Sequence, residues 1–262
     1  YTATVNNGVV TGVGAGTCNI TAYSSANESV KATCAVTVKE AKQLSGHPTN
    51  GLTLQLDRNG MSATEWRNKI DNKSLPWKSA KKGTTDIGAY MVFDGESYYW
   101  NGVNYLDHLT LGDFDKYYNF GESQTIILAG DFTNAVNAIV GNKKSLNHVT
   151  ELAILRSTDV SYIDANKTRL GQISKAFNIN GCISLRYNKT TRRVDADTMP
   201  FTADTLTNSN TTLTSAFSQG DNPAVLGDIS TSKSYYKLVL VYNRVLTNEE
   251  VQAAMTAIKS FF

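Results

Sequence analysis

Few residues of this 262-residue chain could do chemistry, and an aromatic run is the most distinctive group among them. Tyr98, Tyr99 and Trp100 are followed by Asn101 and Tyr105. Alternation along a strand puts Tyr98 and Trp100 on one face and Tyr99 on the other. Exposed rings beside an amide suit sugar stacking or a protein interface. The run therefore predicts a site for a glycan or a protein partner, with core packing of each ring as the alternative.

A second group consists of oxygen-bearing side chains that stand close together in the chain. Asp113, Asp115 and Asn119 follow Gly112 at short spacing. Carboxylate and amide oxygens are the ligands that calcium, a hard cation, prefers. The spacing matches no complete calcium loop, because no Gly or Glu falls where an EF-hand requires it. The group indicates a calcium site or, as the alternative, a solvated turn, and no other cofactor is predicted.

Catalytic groups are not evident among the other polar residues. A glycosidase needs two carboxyl groups across a cleft, but the most apolar segments carry only one acid between them, Glu151. His47, His108 and His148 accompany no nucleophile motif. The glycine-rich residues 12–16 are followed by no helix, so they do not match a phosphate-binding loop. We expect a protein that is not an enzyme, with a glycoside hydrolase as an alternative.

The composition is that of an ordinary globular protein, with 41% hydrophobic residues, 18% charged residues and a net charge of +2. No dense basic stripe is present, which argues against nucleic acid as a partner. No apolar run reaches the length of a membrane span, so membrane insertion is not expected. The first residues lack the features of a signal peptide, and the chain does not begin with Met, so we expect it to belong to a longer protein.

The N-terminal residues 1–39 contain short strands separated by turns, and the segments around Cys18 and Cys34 predict an antiparallel hairpin. If the turn centres near Ala26, Cys18 lies opposite Cys34, which would make a disulfide geometrically feasible. Two separate small side chains are the alternative. Cys182, in a later apolar segment, is expected to be a buried strand residue.

The remainder of the chain, residues 51–262, follows a polar linker at residues 40–50. Its apolar strands are separated by connections rich in Asn, Ser, Thr and Gly, and strands and helices do not alternate. An antiparallel β-sandwich or jelly roll is therefore predicted. We expect residues 61–77 to form a loop or short helix, and residues 202–215 to form a long polar loop or an edge hairpin.

The C-terminal segment predicts a strand that runs into a capped helix. Residues 237–242 are nearly all apolar, as in a strand buried on both faces. Thr247 is a suitable N-cap, and Glu250 three residues later completes a capping box. The predicted helix then presents one apolar stripe, formed by Val251, Ala254, Met255 and Ile258.

Two parts of the chain, one near its start and one in the remainder, resemble known families. Residues 7–22 closely resemble the second half of a bacterial immunoglobulin-like domain of group two, whose first half is absent here. Residues 236–251, together with residues 93–98, residues 52–57 and Trp66, resemble a concanavalin A-like, laminin-G-like jelly roll. The first resemblance implies a partial sandwich that serves as an extracellular or virion-surface spacer. The second implies a two-sheet sandwich of a family that commonly binds glycans or proteins and includes some glycosidases.

These observations predict a non-enzymatic module of a virion or cell-envelope protein, with a partial immunoglobulin-like sandwich followed by a jelly roll and a short C-terminal helix. We expect a phage decoration, fibre or tail-associated protein on the virion surface, with a bacterial cell-surface protein as the alternative. Its partners would be host or mucosal glycans, or other subunits, including copies of itself. A purely architectural domain without sugar binding is the other alternative.

Overall fold

The computed structural model describes residues 2–38, 42–62, 65–79, 91–93, 98–100, 109–134, 138–142, 152–220, 224–226 and 235–262. The chain forms two compact units, Tyr1–Leu44 and Ser45–Phe262. The division between them falls inside the segment that was predicted as a linker.

The first unit consists of two antiparallel hairpins, β1 with β2 and β3 with β4. Asn7 and Gly8 make the first turn with positive φ angles of 48° and 80°, a conformation that Gly and Asn adopt most readily. None of residues 2–38 is buried, so these strands enclose no core of their own. The strands are β1 (Ala3–Asn6), β2 (Val9–Gly12), β3 (Gly16–Ser24) and β4 (Asn27–Val38).

The predicted pairing of Cys18 with Cys34 is wrong. Cys18 lies opposite Val36, and Cys34 lies opposite Ile20. The hairpin turn is near the expected position, but an irregularity between Tyr23 and Ser24 shifts the register of the strands beyond it. The two cysteines therefore occupy diagonal positions, at which the Cα atoms are typically about 7–8 Å apart, and this separation is too large for a disulfide. Both cysteines are free, as is the buried Cys182.

The second unit is built from short strands and ends in the helix α1 (Asn248–Phe261). The described residues of this unit include 3-10 turns at Arg58–Gly60 and Phe114–Lys116. The strands that the structure describes are β5 (Leu52–Leu56), β6 (Glu65–Arg67), β7 (Ser74–Ser79), β8 (Met91–Phe93), β9 (Tyr98–Trp100), β10 (Leu109–Leu111), β11 (Gln124–Asp131), β12 (Ala138–Asn142), β13 (Leu152–Arg156), β14 (Asp159–Ile163), β15 (Arg169–Ser174), β16 (Asn180–Asn188), β17 (Arg193–Pro200), β18 (Thr207–Thr212), β19 (Ala224–Leu226) and β20 (Tyr235–Tyr242).

These strands form three sheets. The largest has the order β18-β17-β16-β11-β20-β9-β8, and β5 pairs with β20 as well. A five-stranded sheet has the order β15-β14-β13-β12-β19, and a smaller sheet has the order β10-β7-β6. Every strand pair in the described part of this unit is antiparallel.

The core lies between the largest sheet and the five-stranded sheet. β11 contributes Ile126 and Leu128 to it from alternate positions, because every second side chain of a strand faces the same layer. The rings of Tyr162 on β14 and Tyr187 on β16 are 5.7 Å apart between centroids, so the two sheets meet directly. The prediction of an antiparallel all-β sandwich with a short C-terminal helix is confirmed.

The helix α1 covers the other face of the largest sheet. Ile127 and Leu240 lie opposite each other on that face and are fully buried. From the helix, Gln252 reaches Met199 on β17, with its Nε2 3.4 Å from the sulfur. Burial on both faces explains why β20 is apolar along almost its whole length. The predicted stripe of Val251, Ala254, Met255 and Ile258 is the buried face of α1.

The start of α1 also agrees with the sequence. The Glu250 amide donates to Thr247 Oγ1 at 3.3 Å, and Glu250 Oε2 accepts from the Thr247 amide at 2.9 Å, so the predicted capping box is confirmed. No helix in the described residues is long and apolar enough to cross a membrane.

The expectation of a loop or short helix at residues 61–77 is wrong. This segment contains the antiparallel pair β6 and β7, whose turn is closed by a bond from the Asn68 amide to the Lys73 carbonyl. Trp66 is fully buried, and its indole nitrogen donates to the Asp57 carbonyl at 2.8 Å. The alternative of an edge hairpin at residues 202–215 is correct in its position at an edge, because β18 is the outermost strand of the largest sheet, but the segment supplies a single strand, which pairs with β17.

Candidate functional site

The predicted aromatic cluster lies partly in a described strand. Tyr98, Tyr99 and Trp100 form β9, in which Tyr98 pairs with Tyr236 and Tyr99 with Tyr235 of β20. The other predicted members, Asn101 and Tyr105, lie outside the described residues. A glycan- or partner-binding role for this cluster stays a prediction.

The acidic group lies in the connection from β10 to β11. Asp113 has a left-handed backbone (φ 62°), and its carboxylate is 3.2 Å from the Lys116 ammonium. Asp115 is exposed in the 3-10 turn, and Asn119 Oδ1 accepts from the Gly121 amide at 2.8 Å. Within the described ranges, no three His, Cys, Asp or Glu side chains are gathered as a metal site would require. Calcium binding stays a prediction.

The same connection brings a partly exposed tyrosine against a second loop. The Tyr117 hydroxyl donates to Asp71 Oδ2 at 2.7 Å, although the two residues are far apart in sequence. Burial, together with the bond to Asp71, raises the pKa of Tyr117 to about 12. Burial acts to raise the pKa of Asp71, but bonds from Tyr117 and Lys73 outweigh it and lower that pKa. Near neutral pH the pair is a neutral phenol held by a carboxylate.

Asp71 is positioned by the turn between β6 and β7. Asn68 is fully buried there, and its Oδ1 accepts from the Gln55 and Ile70 amides at 3.0 and 3.1 Å. Its Nδ2 donates to the Thr53 carbonyl at 3.1 Å and to Asp71 Oδ1 at 2.8 Å. Asn68 therefore holds the turn against β5 and, through its bond to Asp71 Oδ1, orients the carboxylate that accepts from Tyr117.

Charged groups of both signs lie close to the pair of Tyr117 and Asp71. Lys73 lies 3.4 Å from Asp71, and the charge of Asp113, which pairs with Lys116 in the loop of Tyr117, also acts on the tyrosine hydroxyl. The ring packs against the main core with part of its surface and presents the rest to solvent. We call this group the Tyr117 surface: Asn68, Asp71, Lys73, Asp113, Lys116 and Tyr117.

Sequence reasoning singled out Asp113 but missed the rest of the Tyr117 surface, because its two loops meet only in the folded chain. The available signal was the run of Asn and Asp between residues 68 and 72, which is typical of a turn between strands. A polar turn with a nearby unassigned tyrosine would have been a candidate, but no local pattern pairs the turn with Tyr117.

A pair of acids on β17 was also missed. Asp195 and Asp197 alternate on the strand, so they share the helix-covered face of the largest sheet. Asp197 is completely buried and lies 3.1 Å from the buried Arg186 guanidinium. Ser184 also donates to Asp197, and Arg186 donates to Asn248 in the first turn of α1 at 2.8 Å.

The second acid of β17 is held just as closely. Asp195 accepts from Arg193 Nε and Nη2, both at 2.8 Å, in a bidentate pair. Asn208 on β18 bridges the two acids, with its Nδ2 at 2.8 Å from Asp197 and 3.3 Å from Asp195. This arrangement connects β16, β17, β18 and α1, and its chemistry is that of a structural ion network.

No family model matches the chain, and no curated protein matches it significantly. Among solved structures, the Trypanosoma rangeli sialidase in complex with sialic acid is similar at 11% identity and a TM-score of 0.50, over 82% of this chain and 34% of its own. The receptor-binding domain of botulinum neurotoxin type G has 12% identity and a TM-score of 0.46, over 78% and 50%. The binding domain of botulinum neurotoxin DC in complex with SialylT has 8% identity and a TM-score of 0.48, over 79% and 52%. The chain thus covers between 34% and 52% of the length of these chains. Of the three, only the sialidase match reaches a TM-score of 0.50, and at 11% identity it shows a likeness of fold alone.

Proposed function

We propose that the chain is a carbohydrate-binding module without enzymatic activity and that sugars bind at the Tyr117 surface. The observation that carries this proposal is the partly exposed ring of Tyr117, whose hydroxyl is held by Asp71 at 2.7 Å. A fixed ring offers an apolar face to the C–H groups of a pyranose. The neighbouring carboxylates and ammonium groups can bond its hydroxyls and set its orientation.

Binding without hydrolysis is favoured by the state of the paired acids on β17. A glycosidase needs one carboxyl group that protonates the leaving oxygen and one that attacks or activates water. Asp197 is buried against Arg186, and Asp195 is held bidentately by Arg193. Neither carboxylate is placed at an open cleft.

The place of display is part of the proposal. The resemblances of residues 7–22 and 51–262 support a module on the surface of a phage virion, in a decoration, fibre or tail-associated protein, or on a bacterial cell. Its glycan would then be a host or mucosal one, and neighbouring subunits would be its protein partners. Antibody labelling of intact particles tests this, and labelling confined to the interior of lysed cells would contradict it.

The binding test begins with a glycan array of bacterial and mucin sugars probed with the full chain, followed by calorimetry on the best ligand. Tyr117→Ala is expected to weaken binding at least tenfold, about 1.4 kcal/mol, whereas Tyr117→Phe should lose less because the ring remains. Tyr23→Ala, which removes an exposed tyrosine of the first unit, is the matched control. Lack of binding to any glycan, or equal losses for Tyr117→Ala and Tyr23→Ala, would overturn the proposal.

Hydrolysis is measured in parallel, as released reducing sugar. If the chain releases reducing sugar and Asp195→Asn abolishes that release, the two acids of β17 are a catalytic pair. The proposed binding function would then give way to a glycoside hydrolase activity. Thermal unfolding of each variant separates a lost contact from a lost fold, and Asp71→Asn provides a second variant of the Tyr117 surface that leaves the ring in place.

A further inference from the structure

Part of the predicted linker belongs to the second unit, which begins at Ser45. Gly46 has a positive φ of 81° and lies beside α1, since a Cβ on Gly46 would be 3.9 Å from the Cβ of Ala257. The chain between Ser45 and Pro48 therefore lies against the second unit before β5 begins. We call residues 45–48 the latch segment.

Few hydrogen bonds hold the latch segment in place. Among the described residues, the bond that it receives from the rest of the unit is that of the Tyr242 hydroxyl, which donates to the Pro48 carbonyl at 2.9 Å. A firmer attachment follows at Asn50, whose carbonyl accepts from Arg244 Nε at 2.9 Å. Side-chain packing therefore supplies much of what keeps the latch segment closed.

His47 is the ionisable side chain of the latch segment. It is partly buried, and both ring nitrogens are shielded from solvent and have no hydrogen-bond partner in the described part of the chain. Shielding a polar group without a partner costs free energy, and the cost is much larger for a charged group. The site therefore accommodates a neutral imidazole far more readily than an imidazolium.

The polar groups close to the ring do not reverse this preference. The Asp57 carboxylate and the Gln55 side chain both favour the charged form of His47, but burial lowers the pKa of His47 more than they raise it. Asp57 is itself fully buried, and each of its oxygens already accepts a bond. Its Oδ1 accepts from the Asn59 amide and its Oδ2 from Gln55 Nε2, both at 2.9 Å.

The other ionisable groups described around the latch segment keep one charge state in mild acid. Arg58, next to Asp57 in the chain, is a permanent cation. Burial raises the pKa of Tyr242, so its hydroxyl stays protonated. The pKa of Glu250 is about 2, so this carboxyl stays ionised. Of these groups, His47 alone changes its charge between about pH 5 and 8.

We propose that the latch segment is an acid-released tether, which lies against the second unit while the His47 ring is neutral and detaches when the ring takes up a proton. Water can solvate the imidazolium in the open state, whereas the closed state shields both nitrogens. Detachment adds residues 45–48 to the chain that joins the two units, about 14 Å of extended backbone. Mild acid thereby lengthens the connection between them.

Protonation linkage sets the direction of the response. The pKa of an exposed imidazole is 6.5, and that of His47 in the closed state is lower. The closed state is therefore most favoured above that value and becomes less favoured as the pH falls through it. From about pH 7.5 to about pH 5.5 the ratio of open to closed chains should rise severalfold, with a ceiling of about tenfold.

The test is proteolysis of the full, folded chain by subtilisin, with the sites of cleavage located by mass spectrometry. Cleavage within the latch segment requires that the segment detach, and its rate follows the open fraction when opening and closing are faster than cleavage. Dividing this rate by that of a synthetic peptide of residues 42–52 removes the pH dependence of the protease itself. The quotient should rise between pH 7.5 and 5.5 as linkage requires.

His47→Gln and His47→Leu should each give a quotient that does not change over this pH range, whatever its absolute size. The matched control is the double variant His108→Gln with His148→Gln, which removes the other two histidines of the chain and should keep the rise. Urea unfolding at both pH values confirms that each variant is folded.

Three results would overturn the proposal. They are a wild-type quotient that changes by less than about twofold, an equal rise in His47→Gln, and loss of the rise in the control variant. Glycan binding at the Tyr117 surface does not enter these measurements.

Discussion

Glu250 connects three parts of the second unit through one carboxylate. Arg244 donates to its two oxygens at 2.8 and 2.6 Å, and the Thr247 amide donates to it at 2.9 Å. Arg244 also donates from Nε to the Asn50 carbonyl at 2.9 Å, which ties the end of β20 to the chain before β5. The bonds from Arg244, and then the bond from the Thr247 amide, lower the pKa of Glu250 to about 2.

This pKa predicts a loss of stability in acid. The carboxyl group titrates near 4.5 in the unfolded chain and near 2 in the folded one, so its contribution is complete above the unfolded value. The free energy of unfolding should therefore fall as the pH drops from about 4.5 to about 2, by about 1–2 kcal/mol after allowance for solvent screening. Glu250→Gln should flatten this part of a urea-unfolding profile measured against pH.

The control for this profile is Arg244→Gln, which removes the guanidinium whose bonds are the largest cause of the lowered pKa of Glu250. It should flatten the profile in part, because the bond from the Thr247 amide remains. An unchanged slope in Glu250→Gln would contradict the assignment.

At the scale of elements, the sequence predicted a helix or strand correctly where the contacts that determine it join residues close together in the chain. Thr247 and Glu250 predicted the start of α1 because a capping box joins residues within one turn. The strand β17 was not predicted, because its two acids are typical of polar surface in the sequence. The arginine that neutralises Asp197 comes from another strand, β16. The Tyr117 surface was missed for the same reason, since Asp71 reaches Tyr117 only through tertiary packing.

The β17 network predicts a strongly asymmetric response to mutation. Arg186→Met leaves Asp197 buried and unpaired, which should cost about 3–5 kcal/mol of unfolding free energy. The double variant Arg186→Met with Asp197→Leu should recover most of that loss, because no buried charge remains. Urea unfolding with a common m value measures both.

Arg193→Met provides the comparison within the same strand. The Asp195 side chain is only 9% exposed, but that of Arg193 is 49% exposed, so water can take the place of its guanidinium. Losing this pair should therefore cost about 1–2 kcal/mol, less than Arg186→Met. Equal losses for Arg186→Met and Arg193→Met, or a double variant as unstable as Arg186→Met, would show that burial does not set the energetics of this network.

At the scale of the whole molecule, the two units differ in what holds them together. The second buries large side chains such as Trp66, Phe120 and Tyr162 between its layers, and the sequence predicted that sandwich from strand patterns and their order. In the first, residues 2–38 contain no buried residue. Alternation along β3 and β4 predicted the hairpin. The register of the two strands depends on a bulge, which no pattern in the sequence indicates.

This difference predicts that backbone amides of the two units differ in their protection from hydrogen exchange. Amides of β3 and β4 should exchange rapidly, since residues 2–38 contribute no buried side chain that would oppose their opening. Amides of β16 and β17, which lie inside the largest sheet between other strands, should be protected far more strongly. Exchange of the full chain, followed by mass spectrometry of its peptides, measures both pairs of strands in one experiment. Protection of β3 and β4 that matches β16 would contradict the link between burial and protection in this chain.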